Sequence, residues 1–430
     1  MNRLLLILAL VAPQFSSLWG AVPSSVPGDS TGVAKPGDWP WWRGPSRDGL
    51  AAPDQKLPLT WSETENVHWK TPIPGRGHGS AALVGKRIFL VSAENVTETQ
   101  SVICLDRASG KPLWQTPVHQ GGFETKGNTK TTLASCTPAC DGERVFVNFL
   151  NGGSVWATAL TVEGEKIWQE RLTEFATHQG FGSSPAIYES LVIFSADNQG
   201  KGVVIALDRA TGKKVWHVDR PKLHNYTSPM IHHVAGKDQL VMVGCDLVSS
   251  YKPSTGEKIW ETKGATTECV TSTVTDGSRI FTSGGYPRNH LEAVEADGSG
   301  KVAWSNNSRV YVPSLLIREG YLYGVLDAGV ACCWKSDSGK EQWKHRLSGT
   351  FSSSPVMVGD VIHATNEEAV TFVFKATPES YEKLAENKLG DEVFATPTIC
   401  GNRIYTRVAV KEGEKRQEYL YSLGLPDGSP

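Results

Sequence analysis

Chemically versatile residues recur just before a short Ser/Thr-rich phrase that the chain repeats, as in His224-Asn225-Tyr226 before Thr227-Ser228-Pro229-Met230. Their imidazole, phenol, carboxylate and guanidinium groups can exchange protons or hold a polar ligand. If each phrase opens an equivalent structural unit, these residues meet around one rim, where a protein partner or a small ligand could bind. The candidate rim residues are His78, His178, His224, Tyr226, Glu268, Arg309 and Tyr311. Loops that are polar only because they contact water would have the same composition, so both interpretations remain open.

Other kinds of site have no matching pattern. His232 and His233 are neighbours on a predicted strand and point to opposite faces, and no His-x-Glu, Cys-x-x-Cys or acidic calcium loop accompanies the isolated histidines. The chain has no Gly-x-Ser-x-Gly, no His-Glu-x-x-His and no phosphate-binding loop, and Gly75-Arg76-Gly77-His78-Gly79 lacks the spacing of a dinucleotide fingerprint. The sequence therefore predicts no metal site and leaves catalytic residues unassigned.

A repeated Gly-x-x-x-Trp phrase defines the elements that position the rim, and Ala206-Leu207-Asp208-Arg209-Ala210-Thr211-Gly212-Lys213-Lys214-Val215-Trp216 is its fullest copy. The separations of 39 to 54 residues match the roughly 40–50 residues of a four-stranded propeller blade. We interpret the tryptophans as structural plates that pack on the neighbouring blade, with Asp and Gly shaping the turn before them. The predicted docking residues are Trp69, Trp114, Trp168, Trp216, Trp260, Trp304, Trp343, Gly110, Gly212, Asp106 and Asp208.

The Ser/Thr-rich phrase occurs eight times and marks the innermost strand of each blade. Its copies begin at Ser80, Cys136, Ser183, Thr227, Thr271, Val312, Ser353 and Ala395. The last copy is followed by too little chain for four strands, whereas Trp69-Lys70-Thr71-Pro72-Ile73 repeats Trp114-Gln115-Thr116-Pro117-Val118 almost residue for residue. The sequence thus predicts an all-β, eight-bladed propeller of four-stranded blades. A strand around Trp69 is predicted to close the ring by pairing with the three C-terminal strands.

Composition bounds the partners and the compartment. Among 430 residues, 43 Lys and Arg nearly balance 45 Asp and Glu, so no basic field favours nucleic acid. Residues 1–20 have the pattern of an export signal, and no later segment is long and apolar enough to span a membrane. No cysteine lies beside the expected cleavage site. We expect an exported monomer, periplasmic or extracellular, without a lipid anchor.

The predicted order of segments is a signal peptide at 1–20, a flexible linker at 21–37, a Trp-rich segment at 38–60 and the propeller at 61–425. The Trp-rich segment contains Trp39, Trp41 and Trp42 and could be either a partner site or a plug packed on the propeller; we favour the plug. The adjacent Cys332 and Cys333 could form a strained disulfide, but neighbouring residues of a strand point to opposite faces, so two separately packed thiols are expected.

The Gly-x-x-x-Trp phrase resembles the docking motif, Ala-x-Asp-x-x-x-Gly-x-x-x-Trp, of the pyrroloquinoline-quinone-repeat propellers. That superfamily contains quinoprotein alcohol and glucose dehydrogenases and the assembly lipoprotein BamB. The resemblance covers about residues 61 to 423, and the third blade matches in full with Ala206, Asp208, Gly212 and Trp216. It implies the fold more strongly than the chemistry, because the motif packs blades and does not bind the quinone.

Two functions follow from the resemblance. The first is a non-enzymatic module or scaffold that binds a protein or small ligand at the funnel rim, and we favour it. The second is a quinoprotein oxidoreductase that uses pyrroloquinoline quinone and calcium to oxidise an alcohol or sugar, with Glu268 as the nearest candidate base. The chain lacks a Cys-x-x-Cys-His haem motif and an assignable Glu, Asn and Asp set for calcium, and Cys332-Cys333 match the family's vicinal disulfide by composition only.

Overall fold

The computed structural model describes residues 34–124 and 127–426, and within them the chain forms 33 β-strands and no helix. The predicted export signal and residues 21–33 of the predicted linker lie outside the described residues. Two strands precede the blades: β1 (Leu50–Ala51) and β2 (Val67–Ile73). The described residues therefore contain no helix that could cross a bilayer.

The remaining strands form eight antiparallel blades in chain order. Blade 1 comprises β3 (Ala82–Val84), β4 (Arg87–Glu94), β5 (Thr99–Asp106) and β6 (Pro112–Gln120), and blade 2 comprises β7 (Ala139–Cys140), β8 (Arg144–Asn151), β9 (Ser154–Thr161) and β10 (Lys166–Glu174). Blade 3 comprises β11 (Ala186–Tyr188), β12 (Leu191–Ala196), β13 (Val203–Asp208) and β14 (Lys214–Asp219), and blade 4 comprises β15 (Met230–Val234), β16 (Lys237–Gly244), β17 (Leu247–Tyr251) and β18 (Lys258–Lys263). Blade 5 comprises β19 (Val274–Thr275), β20 (Arg279–Gly284), β21 (His290–Glu295) and β22 (Val302–Asn306), and blade 6 comprises β23 (Leu316–Arg318), β24 (Tyr321–Leu326), β25 (Val330–Lys335) and β26 (Glu341–Arg346). Blade 7 comprises β27 (Val356–Val358), β28 (Val361–Thr365), β29 (Val370–Lys375) and β30 (Lys383–Lys388), and blade 8 contains β31 (Thr398–Cys400), β32 (Arg403–Glu412) and β33 (Lys415–Leu423).

Burial follows the position of a strand in its blade. Each blade is sandwiched between two others, so its second strand is apolar on both faces; β12 is buried at every position. The fourth strand lies at the outer edge, and in β14 only Trp216 is fully buried. The core is therefore a set of apolar layers between neighbouring blades, as the eight-bladed all-β prediction requires.

The N-terminal strand closes the ring, as predicted. β2 pairs antiparallel with β33, with Trp69 opposite Ser422 and Lys70 opposite Tyr421. Blade 8 is therefore built from β31, β32, β33 and β2, and both ends of the chain meet in one sheet. This pairing removes the exposed edge that an open array of blades would present.

The Gly-x-x-x-Trp spacing has a physical cause. The motif glycine of one blade lies beneath the motif tryptophan of the preceding blade: a Cβ on Gly110 would come 2.5 Å from the ring of Trp69, and one on Gly212 would come 2.8 Å from Trp168. The indole nitrogen also reaches across the interface, since Trp168 Nε1 donates to the carbonyl of Arg209 at 3.1 Å. Each blade therefore presents a flat backbone surface on which its neighbour's indole rests.

The Ser/Thr-rich phrase has a second, unforeseen role. The backbone N–H of Thr137 donates to Ser184 Oγ at 2.9 Å, and that of Ser184 donates to Ser228 Oγ at 2.9 Å. Equivalent bonds join further pairs of neighbouring inner strands, with donors Ser80, Ser272, Ser314 and Ser354. We call this arrangement the hydroxyl ring; its six bonds link blades 1 to 4 and blades 5 to 8 around the central channel, each through one buried hydroxyl.

The Trp-rich segment crosses the channel. Trp39 exchanges two backbone hydrogen bonds of 2.8 Å with Leu83 of blade 1, and Arg47 donates to the carbonyl of Ile187 in blade 3 at 2.7 Å. On the other side of the axis, the fully buried Arg43 donates to the carbonyls of Leu315 and Pro355, at the inner strands of blades 6 and 7. These contacts match the plug interpretation of the segment and not a free tryptophan cluster.

Candidate functional site

The central channel holds a cavity of about 700 Å³. Trp42 of the Trp-rich segment forms part of its wall, and its Nε1 donates to Ser272 Oγ at 2.7 Å. Hydroxyl-ring residues such as Ser184 and Ser314 line the cavity, and loops at one end of the blades complete it. The cavity is thus bounded by the inner strands, the plug and the loops that carry the predicted rim residues.

Five of the seven predicted rim residues line this cavity: His78, His178, Tyr226, Glu268 and Tyr311. The other two lie behind them. The buried His224 stacks on His178 with ring centroids 4.7 Å apart, and the exposed Arg309 lies 5.4 Å from the ring centroid of Tyr311. The structure therefore brings the seven residues together, while their role in binding remains a prediction.

Glu268 is the carboxylate that lines the cavity, and its side chain is only 8% exposed. His178 Nε2 lies 3.6 Å from its Oε1, and the phenol of Tyr311 is close enough to lower the pKa of the carboxyl. Burial raises the pKa of Glu268, and the favourable contacts with His178 and Tyr311 oppose that rise only in part. The same burial, together with the charge of Glu268, raises the pKa of Tyr311 to about 12. This side of the cavity therefore holds one carboxylate whose charge is only partly compensated.

The position of Tyr311 depends on a glycine in the neighbouring loop. A Cβ on Gly285 would lie 2.6 Å from Cβ of Tyr311, so only glycine leaves room for this ring to approach. The backbone of Glu268 is fixed by its N–H, which donates to the carbonyl of Tyr286 at 3.3 Å. The loop into blade 5, a loop within blade 5 and the loop from blade 5 into blade 6 thus place the carboxylate and the phenol close together.

The opposite wall is uncharged at its surface. His78 stacks on Phe394 with ring centroids 4.5 Å apart, and its buried Nε2 has no hydrogen-bond partner. Burial, together with the nearby guanidinium groups of Arg76, Arg407 and Arg416, lowers the pKa of His78 well below its ordinary value. His78 is therefore a neutral ring at physiological pH.

The loop after blade 1 reaches across the mouth of the cavity. Lys130 Nζ lies 2.6 Å from Glu367 Oε2 in blade 7, and the backbone N–H of Asn128 donates to the carbonyl of Gln179 at 3.0 Å. Both Asn128 and Lys130 line the cavity. The charge of Lys130 is matched by that of Glu367, which leaves Glu268 as the dominant charge at the wall.

The lining residues that sequence reasoning missed include three aromatic side chains, Trp42, Tyr286 and Phe394. Phe394 stands directly before Ala395-Thr396-Pro397-Thr398, in the same place as Tyr226 before its own phrase, so position alone could have identified it. Tyr286 belongs to the loop between β20 and β21, and Trp42 belongs to the plug. Neither carries a positional signal, because only the folded ring brings these segments to the axis.

A calcium-bound quinone does not fit the residues of this cavity. Calcium takes about 6–8 oxygen ligands, whereas the side chains beside Glu268 are the imidazole of His178 and the phenol of Tyr311. No group of three or more His, Cys, Asp or Glu side chains converges anywhere in residues 34–124 and 127–426. The set of Glu, Asn and Asp ligands that the resemblance implied is not assembled at this wall.

Cys332 and Cys333 are free, buried thiols on β25 and lie away from the cavity. Cys332 packs with Val274 and Leu315, whereas Cys333 packs with Leu316 in the next layer. The prediction of two separately packed thiols is therefore confirmed. Alternation of side chains along a strand explains it.

Comparison with known proteins places the chain among propellers of two kinds. Quinohemoprotein alcohol dehydrogenase ADH IIB of Pseudomonas putida is 27% identical over 175 residues, which is 39% of this chain and only 22% of that enzyme. The fold is similar to that of the quinohemoprotein alcohol dehydrogenase from Comamonas testosteroni, with a TM-score of 0.69, 12% identity, and coverage of 94% of this chain and 83% of that enzyme. It is also similar to BamB from Moraxella catarrhalis, with a TM-score of 0.58, 12% identity, and coverage of 85% of this chain and 98% of BamB.

A sequence model of a protein family matches residues 59–199, 200–320 and 287–380, which together make up well over half of the chain. That family is described as outer membrane protein assembly factor BamB. The matched residues contain strands β2 to β29 of the propeller. The chain therefore belongs to this family of pyrroloquinoline-quinone-repeat β-propellers.

Proposed function

We propose that the axial cavity binds a small organic molecule and that the protein acts as a binding module. The observation that carries this proposal is the cavity itself. Its 700 Å³ falls within the range of about 300–1,000 Å³ typical of ligand pockets. Its wall combines aromatic surface, such as Trp42 and Phe181, with a few convergent polar groups around Glu268. We further propose an exported location, on the export-signal pattern of residues 1–20.

A protein segment could occupy the same cavity instead of a small molecule. The family description and the fold of BamB favour a protein partner, and the rim loops offer the nearest surface for one. Cross-linking in the native cell envelope followed by identification of the partner distinguishes the two. A partner that protects the rim loops and competes with small molecules would assign the cavity to a protein segment.

The second candidate function is oxidation of an alcohol or sugar with pyrroloquinoline quinone. Two observations favour it: the dehydrogenase relatives, and a cavity carboxylate, Glu268, whose pKa burial raises toward that of a general base. Against it stands the missing set of calcium ligands. Titration with the quinone and calcium, followed by its absorbance and by turnover of alcohols and sugars with an artificial electron acceptor, tests this function directly.

The proposed function is tested by filling the cavity. Val270 lines it, and Val270→Trp would place a bulky indole in the cavity without removing a charge or a side-chain hydrogen bond. We expect compounds that raise the melting temperature of the wild type in a thermal-shift screen to lose their effect in this variant. Val96, which is fully exposed, gives the control Val96→Trp. Hits that act equally on both variants bind elsewhere and would refute the axial site.

A further inference from the structure

Three tyrosines from three different loops line the cavity with Glu268, the one carboxylate among its described lining residues. The backbone N–H of Tyr226 donates to the carbonyl of Cys269 at 3.0 Å, next to Glu268. The carbonyl of Tyr286 accepts the backbone N–H of Glu268 at 3.3 Å, and the phenol of Tyr311 is close enough to the carboxyl to lower its pKa. All three side chains line the cavity with Glu268. We call this group the tyrosine cage.

The charge of Glu268 has no full counterpart among the described lining residues. Lys130 is paired with Glu367 at 2.6 Å, and His78 is held neutral by burial and by the neighbouring arginines. His178 Nε2 lies 3.6 Å from the carboxylate on a side chain that is 48% exposed, and the guanidinium of Arg309 lies outside the cavity lining, 5.4 Å from the centroid of the Tyr311 ring. Among the described lining residues, the ionised Glu268 therefore carries a negative charge that no lining Lys or Arg pairs with directly.

A carboxylate withdrawn from water is costly unless a cation or several hydrogen-bond donors compensate it. The faces of tyrosine rings attract cations as well, and this attraction adds to that of a nearby carboxylate. From this geometry we infer that the tyrosine cage binds an organic ammonium group, so the ligand of the axial cavity is an amine. The inference rests on the proposed function and names its ligand class.

The groups that face Glu268 set the pH range of binding. They are His178, with His224 stacked behind it, and the phenols of Tyr226 and Tyr311, with Arg309 over the Tyr311 ring. Ammonium binding requires the ionised carboxylate, so affinity is full above the raised pKa of Glu268 and falls as the pH drops through it.

The test uses three probes of one shape: benzylamine, benzyl alcohol and benzoate. We expect isothermal titration of the full-length protein at neutral pH to give a dissociation constant for benzylamine about 10- to 100-fold lower than for benzyl alcohol, and no binding of benzoate. Glu268→Gln should erase the preference for the amine and leave benzyl alcohol unchanged. Glu414→Gln, in the exposed hairpin between β32 and β33, is the matched control and should behave as the wild type.

A second variant guards against misfolding of Glu268→Gln. Tyr286 is 54% exposed, so Tyr286→Leu should fold, and we expect it to weaken benzylamine several-fold more than benzyl alcohol. Equal binding of the amine and the alcohol, or a preference that survives in Glu268→Gln, overturns the inference and leaves the cavity as a binding site for neutral molecules. If benzylamine does not bind, while other compounds bind the wild type and no longer bind Val270→Trp, the inference about the amine is overturned and the proposed binding function stands. Only the absence of any cavity-dependent ligand overturns the proposed function as well.

Discussion

Trp42 Nε1 donates to Ser272 Oγ at 2.7 Å, which fixes a residue of the N-terminal plug onto the hydroxyl ring of the propeller. The plug therefore does more than fill the channel: it supplies one wall of the cavity in which we propose that a ligand binds. Because Trp42 belongs to both the plug and the cavity wall, a ligand in the cavity should change the surroundings of the plug, and a change in the plug should alter ligand binding.

The first prediction uses this shared residue as a reporter. We expect benzylamine to change the intrinsic tryptophan fluorescence of the wild type, because the indole of Trp42 lines the cavity. Trp42→Phe should lose most of that change while calorimetry still detects binding. Trp156→Phe, on β9 and outside the cavity lining, should retain it. A full signal in Trp42→Phe would place the ligand away from the plug.

The second prediction concerns Arg43, which is 1% exposed and donates to the carbonyls of Asp48, Leu315 and Pro355. Arg43→Met fills part of the space but leaves those acceptors without a donor, so we expect the free energy of unfolding to fall by about 2–4 kcal/mol. Urea denaturation measures it. The exposed Lys344, paired with Glu341 at 3.5 Å, gives the control Lys344→Met with a change below about 0.5 kcal/mol.

The third prediction separates two reasons for glycine. Gly110 has φ +70° and a Cβ there would lie 2.5 Å from the Trp69 ring, whereas Gly413 has φ +61° and open space around it. Gly413→Ala should cost about 1 kcal/mol of backbone strain. Gly110→Ala should cost at least about 2 kcal/mol more, because the indole must also move. Equal losses in thermal unfolding would show that the tryptophan contact imposes no constraint.

The fourth prediction is a pH dependence of stability. His363 lies buried in blade 7, stacked on Trp61, and burial lowers its pKa to about 4. In the unfolded chain this histidine takes up a proton near pH 6.5, whereas in the folded chain it stays neutral until about pH 4. Above pH 6.5 it is neutral in both states and does not change the free energy of unfolding. It costs the folded state up to about 1.4 kcal/mol per pH unit as the pH falls toward 4.

His363→Phe keeps a ring in place. Between pH 6.5 and 4 it should reduce the slope of the unfolding free energy against pH by the amount that corresponds to about one proton taken up on unfolding. Phe374→Leu, a buried change in the same blade, should lower stability by the same amount at each pH. An unchanged slope in His363→Phe would mean that this imidazole is protonated within the fold.

The fifth prediction concerns thiol chemistry. All eight cysteines are free and buried, and burial raises the pKa of Cys332 and of Cys333 to about 12. Because the thiolate is the reactive form, a disulfide-exchange reagent should label none of them in the native protein and all eight in guanidinium chloride. Two missing thiols under denaturing, non-reducing conditions would indicate a disulfide.

The sequence predicted the elements of this fold better than their contacts. The glycine four residues before each tryptophan gave the blade period, but the periodicity of a single chain does not say that Gly212 receives Trp168 of the preceding blade. Likewise, Ser184 could be recognised as part of an inner-strand phrase, yet its hydroxyl acts by accepting the N–H of Thr137 in a different blade. Contacts between blades depend on the geometry of the closed ring, which local pattern does not contain.

The candidate site shows the same division. Position before an inner strand identified Glu268, Tyr226 and Tyr311, because the loops that lead into inner strands surround the axis. It also selected Arg309, but the guanidinium of Arg309 lies over the Tyr311 ring, and Tyr311 lines the cavity while Arg309 does not. Whether a rim side chain points inward is decided by its loop conformation, and sequence position does not specify that.

The pairing of β2 with β33 has a consequence for synthesis of the protein. β2 precedes blades 1 to 7 in the chain, and its partner strand β33 follows them. During translation β2 therefore waits without its neighbour while seven blades assemble. Joining β2 to β33 carries a loop-closure cost set by the long stretch of chain between them. A nascent chain stalled before Lys415 lacks β33, so the pairing of this nine-residue strand with β2 is the step that closes the ring.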